Sequence, residues 1–212
     1  MKTTKSIIAL ILIGTVFYAC SADQRKSTTQ QEQTVGDTLA TSVADTIVTG
    51  VNDAIVKGDS LLLVPGKSAG KVSINQDAEE VYILLGKADA GDAAMQKSVA
   101  IWYKNHDPKA YSTSIYTVRD TGNNPPARIK QVRVTSPGFK TKEGIGVSST
   151  LAEIQNKYSV TKLADVTDQG EVLEMYDNLA GIAFEVNGKG ICKAIIIHSA
   201  NEGLKPTSLP LR

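Results

Sequence analysis

Histidine, cysteine and tryptophan are nearly missing: the 212 residues include two His, two Cys and one Trp. His106 stands beside Asp107 and His198 ends an apolar run, each with no second imidazole near it in sequence, so the spacing of a transition-metal site is not there. A Gly-x-Ser-x-Gly elbow is absent, as is a histidine placed as a base with an acid behind it, which leaves hydrolase chemistry without a visible constellation. Gly66-Lys67-Ser68-Ala69-Gly70-Lys71-Val72 has the letters of a phosphate loop without its leading glycine. Asp89, Gly91 and Asp92 share a loop that lacks the calcium-loop length and its final Glu. Excess charge of one sign is missing too. With 23 Lys and Arg against 22 Asp and Glu, there is no electrostatic footprint for nucleic acid. These absences read as a non-enzymatic chain with no cofactor and no metal.

The long apolar run that is present lies at the start. Lys2 and Lys5 precede Ile7 to Phe17, too short to span a bilayer, and Ala19 supplies a small residue at a cut, so residues 1–19 read as a secretory signal. Phe17-Tyr18-Ala19-Cys20 resembles a bacterial lipobox, with aromatics at the first two positions where Leu and Ala or Ser are usual. The resemblance implies that Cys20 becomes an acylated N-terminus and the membrane anchor, more than one chain being needed for stable anchoring. Plain secretion with a free Cys20 is the alternative. Loss of residues 1–19 removes two lysines and no acid, taking the formal charge from +1 to −1. An acylated Cys20 leaves Cys192 as the sole thiol, inside the apolar run Ile191 to Ile197, where it reads as a small buried hydrophobe. Ser21 rather than Asp follows Cys20, which points to an outer membrane and a periplasm-facing chain; surface exposure is the other orientation, although Asp23 followed by Arg25 and Lys26 is a poor acidic export signal.

Residues 20–59 read as a flexible tether. Ser21 to Gln33 is polar and charged, with nothing to bury. Val43, Ile47, Val51 and Ile55 recur at spacings of four among poor helix formers, a stripe compatible with a transient helix. Folding is expected from Ser60. Leu61 to Val64 reads as a strand stopped by Pro65-Gly66. Asp77 then caps a helix presenting Val81, Leu84 and Leu85 and ending at Gly86. Strands are expected at 98–104, 113–119 and 128–135, with a polar loop between the helix and the first of them.

The pattern returns at a shift of 73. A short strand from Gly144 feeds a helix with Thr150 and Glu153 under Asp77 and Glu80, both pairs reading as capping boxes. Val99, Trp102, Tyr103 and Asn105 fall on Val172, Met175, Tyr176 and Asn178 without a gap. Asn187-Gly188 reads as a two-residue hairpin closing the last strands. The expected class is α+β: two tandem units, 60–138 and 139–200, each a helix on an antiparallel three- to four-stranded sheet, with a tail at 201–212.

Val64-Pro65-Gly66-x-Ser68-x-Gly70, then a capped helix ending Leu84-Leu85-Gly86-Lys87-Ala88-Asp89 and a meander, resembles the tandem-repeat fold of β-lactamase-inhibitor-type proteins. The SmpA-type outer-membrane lipoproteins look like single copies of that unit. The second half departs from the pattern at Tyr158-Ser159, and no cysteine pair matches the disulfides such inhibitor domains can carry. The resemblance implies non-catalytic binding of another protein through the open sheet face.

Alternation sorts that sheet. Trp102, Tyr116, Val118, Leu173, Met175, Phe184, Val186, Ile195 and Ile197 are expected toward the helices. Ile101, Tyr103, Arg119, Arg133, Glu174, Tyr176, Glu185 and His198 are expected on the open side, a mixture found in protein interfaces and equally in ordinary solvated sheets. The expectation is a lipid-anchored envelope protein that binds a protein partner there. A small-ligand or glycan receptor using the tyrosines is the alternative, and a hydrolase the remote one.

Overall fold

The computed structural model describes residues 60–207 and 209–212. The signal segment, Cys20 and the tether with its Val43 to Ile55 stripe lie outside the described residues.

The chain is α+β. In order it forms β1 (Leu62–Val64), β2 (Ser68–Ala69), β3 (Val72–Ser73), α1 (Ala78–Leu85), β4 (Ala90–Ala94), β5 (Lys97–Tyr103), β6 (Ser112–Arg119), β7 (Ala127–Val134), β8 (Lys140–Thr141), α2 (Leu151–Lys157), β9 (Thr161–Asp168), β10 (Glu171–Asn178), β11 (Ile182–Asn187) and β12 (Cys192–His198). An eight-stranded antiparallel sheet runs β4-β5-β6-β7-β12-β11-β10-β9, and a small sheet runs β3-β2-β1-β8. In the small sheet β1 pairs parallel with β8, tying the first part of the chain to the second. Val81 and Ile154 of the two helices share one core with Leu63 and Val72 of the small sheet and with Trp102, Ile115, Phe184 and Ile195 of the large one.

Local chemistry explains these elements and corrects several expectations. The capping box at α2 is complete: Thr150 Oγ1 accepts from the Glu153 N–H at 3.2 Å and Glu153 accepts from the Thr150 N–H at 2.7 Å. The one at α1 is not. Asp77 accepts from the Glu79 N–H, whereas Glu80 takes a hydrogen bond from Gln76 at 3.2 Å and leaves the cap alone. Only Ala78 and Val81 of α1 are buried, while Ile83, Leu84 and Leu85 are 86%, 42% and 38% exposed, because so short a helix lays one turn on the sheet. The expected strand from Gly144 is a run of turns in which Gly146 bridges Lys140, with Ile145 and Val147 plugged into the core. The loop after Asn187 holds four residues, not two, since Asn187 Oδ1 accepts from the N–H groups of Lys189 and Ile191, and a bulge follows on β12 between Cys192 and Ala194, opposite Val186 and Glu185. The expected polar loop before β5 is itself a strand, β4.

The large sheet reverses between β4 and β5 at Met95-Gln96 and between β9 and β10 at Gln169-Gly170, all four residues having positive φ. Such two-residue turns match the twist of the flanking strands. The pairs closing them, Ala94 with Lys97 and Asp168 with Glu171, lie 74 positions apart, whereas the helix caps lie 73 apart. The second half thus carries one extra residue between cap and turn, and one residue inverts which face every side chain takes.

The faces are redistributed, in β10 by that inversion and in β6 by its register with β5, where Val99 pairs with Tyr116 and Lys97 with Val118. Trp102, Phe184, Val186, Ile195 and Ile197 point to the helices as expected, and Tyr176 joins them. Tyr116 and Val118 do not: they pack with Val99 and Ile101 on the far face, beneath Leu209 and Leu211. Met175 also lies on the far face, with Ala183, Ile196 and Leu204, and Leu173 shares its parity. The face expected to be open is therefore covered along much of its length by the C-terminal residues of the same chain.

Candidate functional site

Where the C-terminal residues stop covering the far face, a cleft of about 620 Å³ opens beside β7 and β12, with Ile101, Tyr103, Tyr111, Arg133, Asp168 and Arg212 among its walls. Tyr103 ends β5 and Tyr111 precedes β6, so the Lys104 to Ala110 turn between them, with Pro108 and Lys109 on the cleft, forms one rim. Thr135 and Pro137, just past β7, form another, and Gln169 and Glu171 at the β9 to β10 turn a third.

Arg133 lies at the base. The side chain is 2% exposed, and Nε and Nη2 donate to Glu185, the Nη2 to Oε2 distance being 2.8 Å. Nη2 also pairs with Asp168, and Arg212 Nη2 pairs with the other oxygen of Glu185. Burial alone would lower the Arg133 pKa, but the charges and hydrogen bonds of Glu185 and Asp168 outweigh it and hold the group above its ordinary value. Every hydrogen bond of Arg133 within the described residues uses Nε or Nη2, which leaves Nη1 without a protein acceptor. Arg212 Nε and the Oγ of Ser114, the cross-strand neighbour of Arg133, are buried without partners in the described residues.

The eight residues expected on the open face separate into groups. Ile101, Tyr103 and Arg133 meet at the cleft, with Glu185 behind Arg133. Ile101 is 6% exposed and Glu185 fully buried, so neither is the solvated surface residue expected. Arg119 is at the far end of β6, where its Nη1 donates to the Pro125 carbonyl and stabilises a turn. Glu174 and Tyr176 belong to the helix-side parity through the extra residue. There the Tyr176 hydroxyl donates to Glu174 at 2.7 Å and Lys162 Nζ approaches it to 2.6 Å; Lys162, then Tyr176, hold the Glu174 carboxyl below its ordinary range. His198 is 3% exposed at the opposite end of β12. Its Nε2 lies 2.9 Å from Asp177 Oδ1 and its Nδ1 3.0 Å from the Ser199 carbonyl, while Asp177 Oδ2 accepts the Leu204 N–H. That triad pins the start of the C-terminal stretch to β10.

Asp168, Tyr111, Lys109 and Arg212 were not singled out from sequence. They reach the cleft from three separate segments, the β5 to β6 turn, the end of β9 and the C-terminal stretch, and nothing in their local spacing marks them. Cys192 lines the cleft as well, but burial pushes its thiol up to about 12, so it is neither thiolate nor nucleophile near neutrality. Among the described residues no group of three or more His, Cys, Asp or Glu side chains could hold a metal ion. No described helix is long and apolar enough to cross a membrane. The cleft offers charged hydrogen-bond donors from Arg133 and Arg212 and aromatic walls from Tyr103 and Tyr111.

No protein-family model matches the chain, and no curated protein matches it. Among solved structures it is similar to a cysteine-rich secretory protein from Staphylococcus aureus, with 13% identity and a TM-score of 0.40 over 67% of this chain. The match spans about half of that structure, 51% of its length.

Proposed function

We propose that the chain is a lipid-anchored cell-envelope protein, non-catalytic, that binds a protein partner at the cleft beside β7 and β12. The observation carrying this reading is that Ile101, Tyr103 and Arg133, drawn from the set expected to bind, converge there with Tyr111. Aromatic residues and arginine are the side chains that dominate protein interfaces. The anchor rests on the resemblance of Phe17 to Cys20 to a lipobox, with the outer membrane and a periplasm-facing orientation as its placement. We further propose that the two halves are copies of one unit. In support, α1 and α2 are each followed by a four-stranded antiparallel run opened by a two-residue turn of positive φ. Those runs meet at their last strands, β7 and β12.

Crosslinking in the native envelope, followed by pull-down with the wild-type chain and with Ala110→Trp, tests the site. The tryptophan fills the cleft from its rim, and a partner captured equally by both chains would sink the reading. The small-ligand alternative is favoured by a different observation, the cleft's volume, which lies in the range of small-molecule sites. A glycan array read with the wild-type chain and Tyr103→Ala decides it: tyrosine-dependent glycan binding would replace the protein partner.

A further inference from the structure

Arg133 is 2% exposed, lines the cleft and spends Nε and Nη2 on two carboxylates of its own chain, while Nη1 has no acceptor in the described residues. Arg212 lines the same cleft and its Nε, buried, has none either. A buried guanidinium donor left unmatched costs free energy, and structures retain few of them. Arg212 Nε is one such donor, and together with Arg133 Nη1, which also lacks a protein acceptor and belongs to a residue lining the same cleft, it indicates a group supplied from outside. The flat fork of a guanidinium fits the oxygens of a carboxylate or a phosphate. Charge separates the two. Lys109, Arg133, Lys193 and Arg212 face Asp168 and Glu171 around the walls, four cations against two anions, and Glu185 stands directly behind Arg133. A single negative charge suits that modest surplus better than a doubly charged phosphate, which the three carboxylates would repel. Tyr103 and Tyr111 then offer an apolar, aromatic wall for whatever carries the charge.

We propose that the cleft binds a carboxylate carried on an extended segment of the protein partner, the carboxylate meeting Arg133 and Arg212 and its neighbouring side chain packing on Tyr103 and Tyr111. This rests on the cleft being the partner site.

The test uses the full chain in detergent micelles and two fluorescein-labelled peptides with blocked ends, GAEYAG and GAQYAG, read by fluorescence anisotropy. The glutamate peptide is expected to bind about tenfold tighter than the glutamine one, the ratio that ~1.4 kcal/mol gives. The preference should shrink to about threefold or less in Arg212→Gln and in Arg133→Lys, with circular dichroism confirming that both variants fold. Equal binding of the two peptides, or binding of neither, overturns the carboxylate. Displacement of the glutamate peptide by succinate at the peptide's own dissociation constant also overturns the proposal, by making a free small carboxylate the ligand. Failure of the underlying reading looks different: partner capture from the envelope would survive Ala110→Trp. Capture lost in Ala110→Trp alongside equal peptide binding would overturn the carboxylate alone.

Discussion

Arg133 Nη2 donates to Glu185 Oε2 at 2.8 Å across the intervening strand β12, with the two side chains 2% and 0% exposed. Their backbone partners on β12 are Ile196 and Ala194, on the same far face, so the pair bridges the centre of the eight-stranded sheet. A buried ion pair of this kind is weak as a net source of stability, because removing two charges from water offsets their attraction; breaking it by halves is costly. Arg133→Met alone should therefore destabilise by ~3–5 kcal/mol, since it leaves the buried Glu185 charge to Arg212 alone and takes from Asp168 its ion-pair partner. The double variant Arg133→Met with Glu185→Leu should recover at least half of that loss. Urea unfolding of the single and double variants gives the coupling, and simple additivity of the two single effects would refute it.

The two helix caps give a sharper comparison. Thr150 and Glu153 satisfy each other's N–H groups, so Thr150→Ala should cost ~1 kcal/mol. Glu153→Ala should also lower the urea midpoint. Glu80→Ala at the corresponding helix position should lower it less, because the Glu80 carboxylate accepts from the Gln76 side chain and not from the cap N–H. Equal effects of the two glutamate substitutions would mean that the box at α1 forms in solution.

Both helices and most strands were readable from sequence because capping residues and β-branched runs act locally. What was lost shows which physics is not local. Strand β4 is Ala90-Gly91-Asp92-Ala93-Ala94, with no β-branched or aromatic residue, and it exists because β5 offers an unpaired edge. Its turn, Met95-Gln96, lacks the Gly or Asn that marks such turns. Without that turn the extra residue between Thr150 and Gln169 was invisible, so Tyr176 and Glu174 were assigned to the wrong face. The cover over the far face was missed for another reason. Leu204, Leu209 and Leu211 are separated by Pro206 and Pro210 and follow no period, so only tertiary packing identifies them as core. Of the candidate site, Ile101, Tyr103 and Arg133 were legible through alternation, but Asp168 and Arg212 depend on a convergence that no spacing encodes.

That cover has a measurable role. Leu209 and Leu211 are 8% and 4% exposed over Val99, Ile101 and Tyr116. Leu211→Ala should cost ~2 kcal/mol, and the double change with Leu209→Ala more, as buried Leu-to-Ala losses do. The double variant should also bind an apolar fluorescent dye that the wild-type chain ignores, since it uncovers a continuous apolar face. Unchanged stability and dye binding would mean that residues 209–211 do not cover the sheet in solution.

Cys192 gives a dependence on alkaline pH whose sign follows from its burial. The thiol sits fully buried and its pKa is pushed up to about 12 from 9.0, first by loss of water and then by the Glu185 charge. Between those values the unfolded chain gives up the thiol proton while the folded chain keeps it, so the folded state binds more protons. Stability from this group is complete below about pH 9 and falls as pH rises toward 12. Tyr158, also raised to about 12 by burial, adds loss in the same direction from pH 10 upward. Comparison with Cys192→Ala removes the tyrosine's share, because both chains carry it. The stability advantage of the wild-type chain over Cys192→Ala, measured by urea unfolding, should therefore shrink steadily from pH 9 to 11. In a Cys20→Ser background at pH 9, iodoacetamide should leave the native chain unmodified and label it once urea unfolds it. A native chain labelled as fast as the unfolded one would show that Cys192 is open to solvent at the cleft, and the pH dependence would vanish with it.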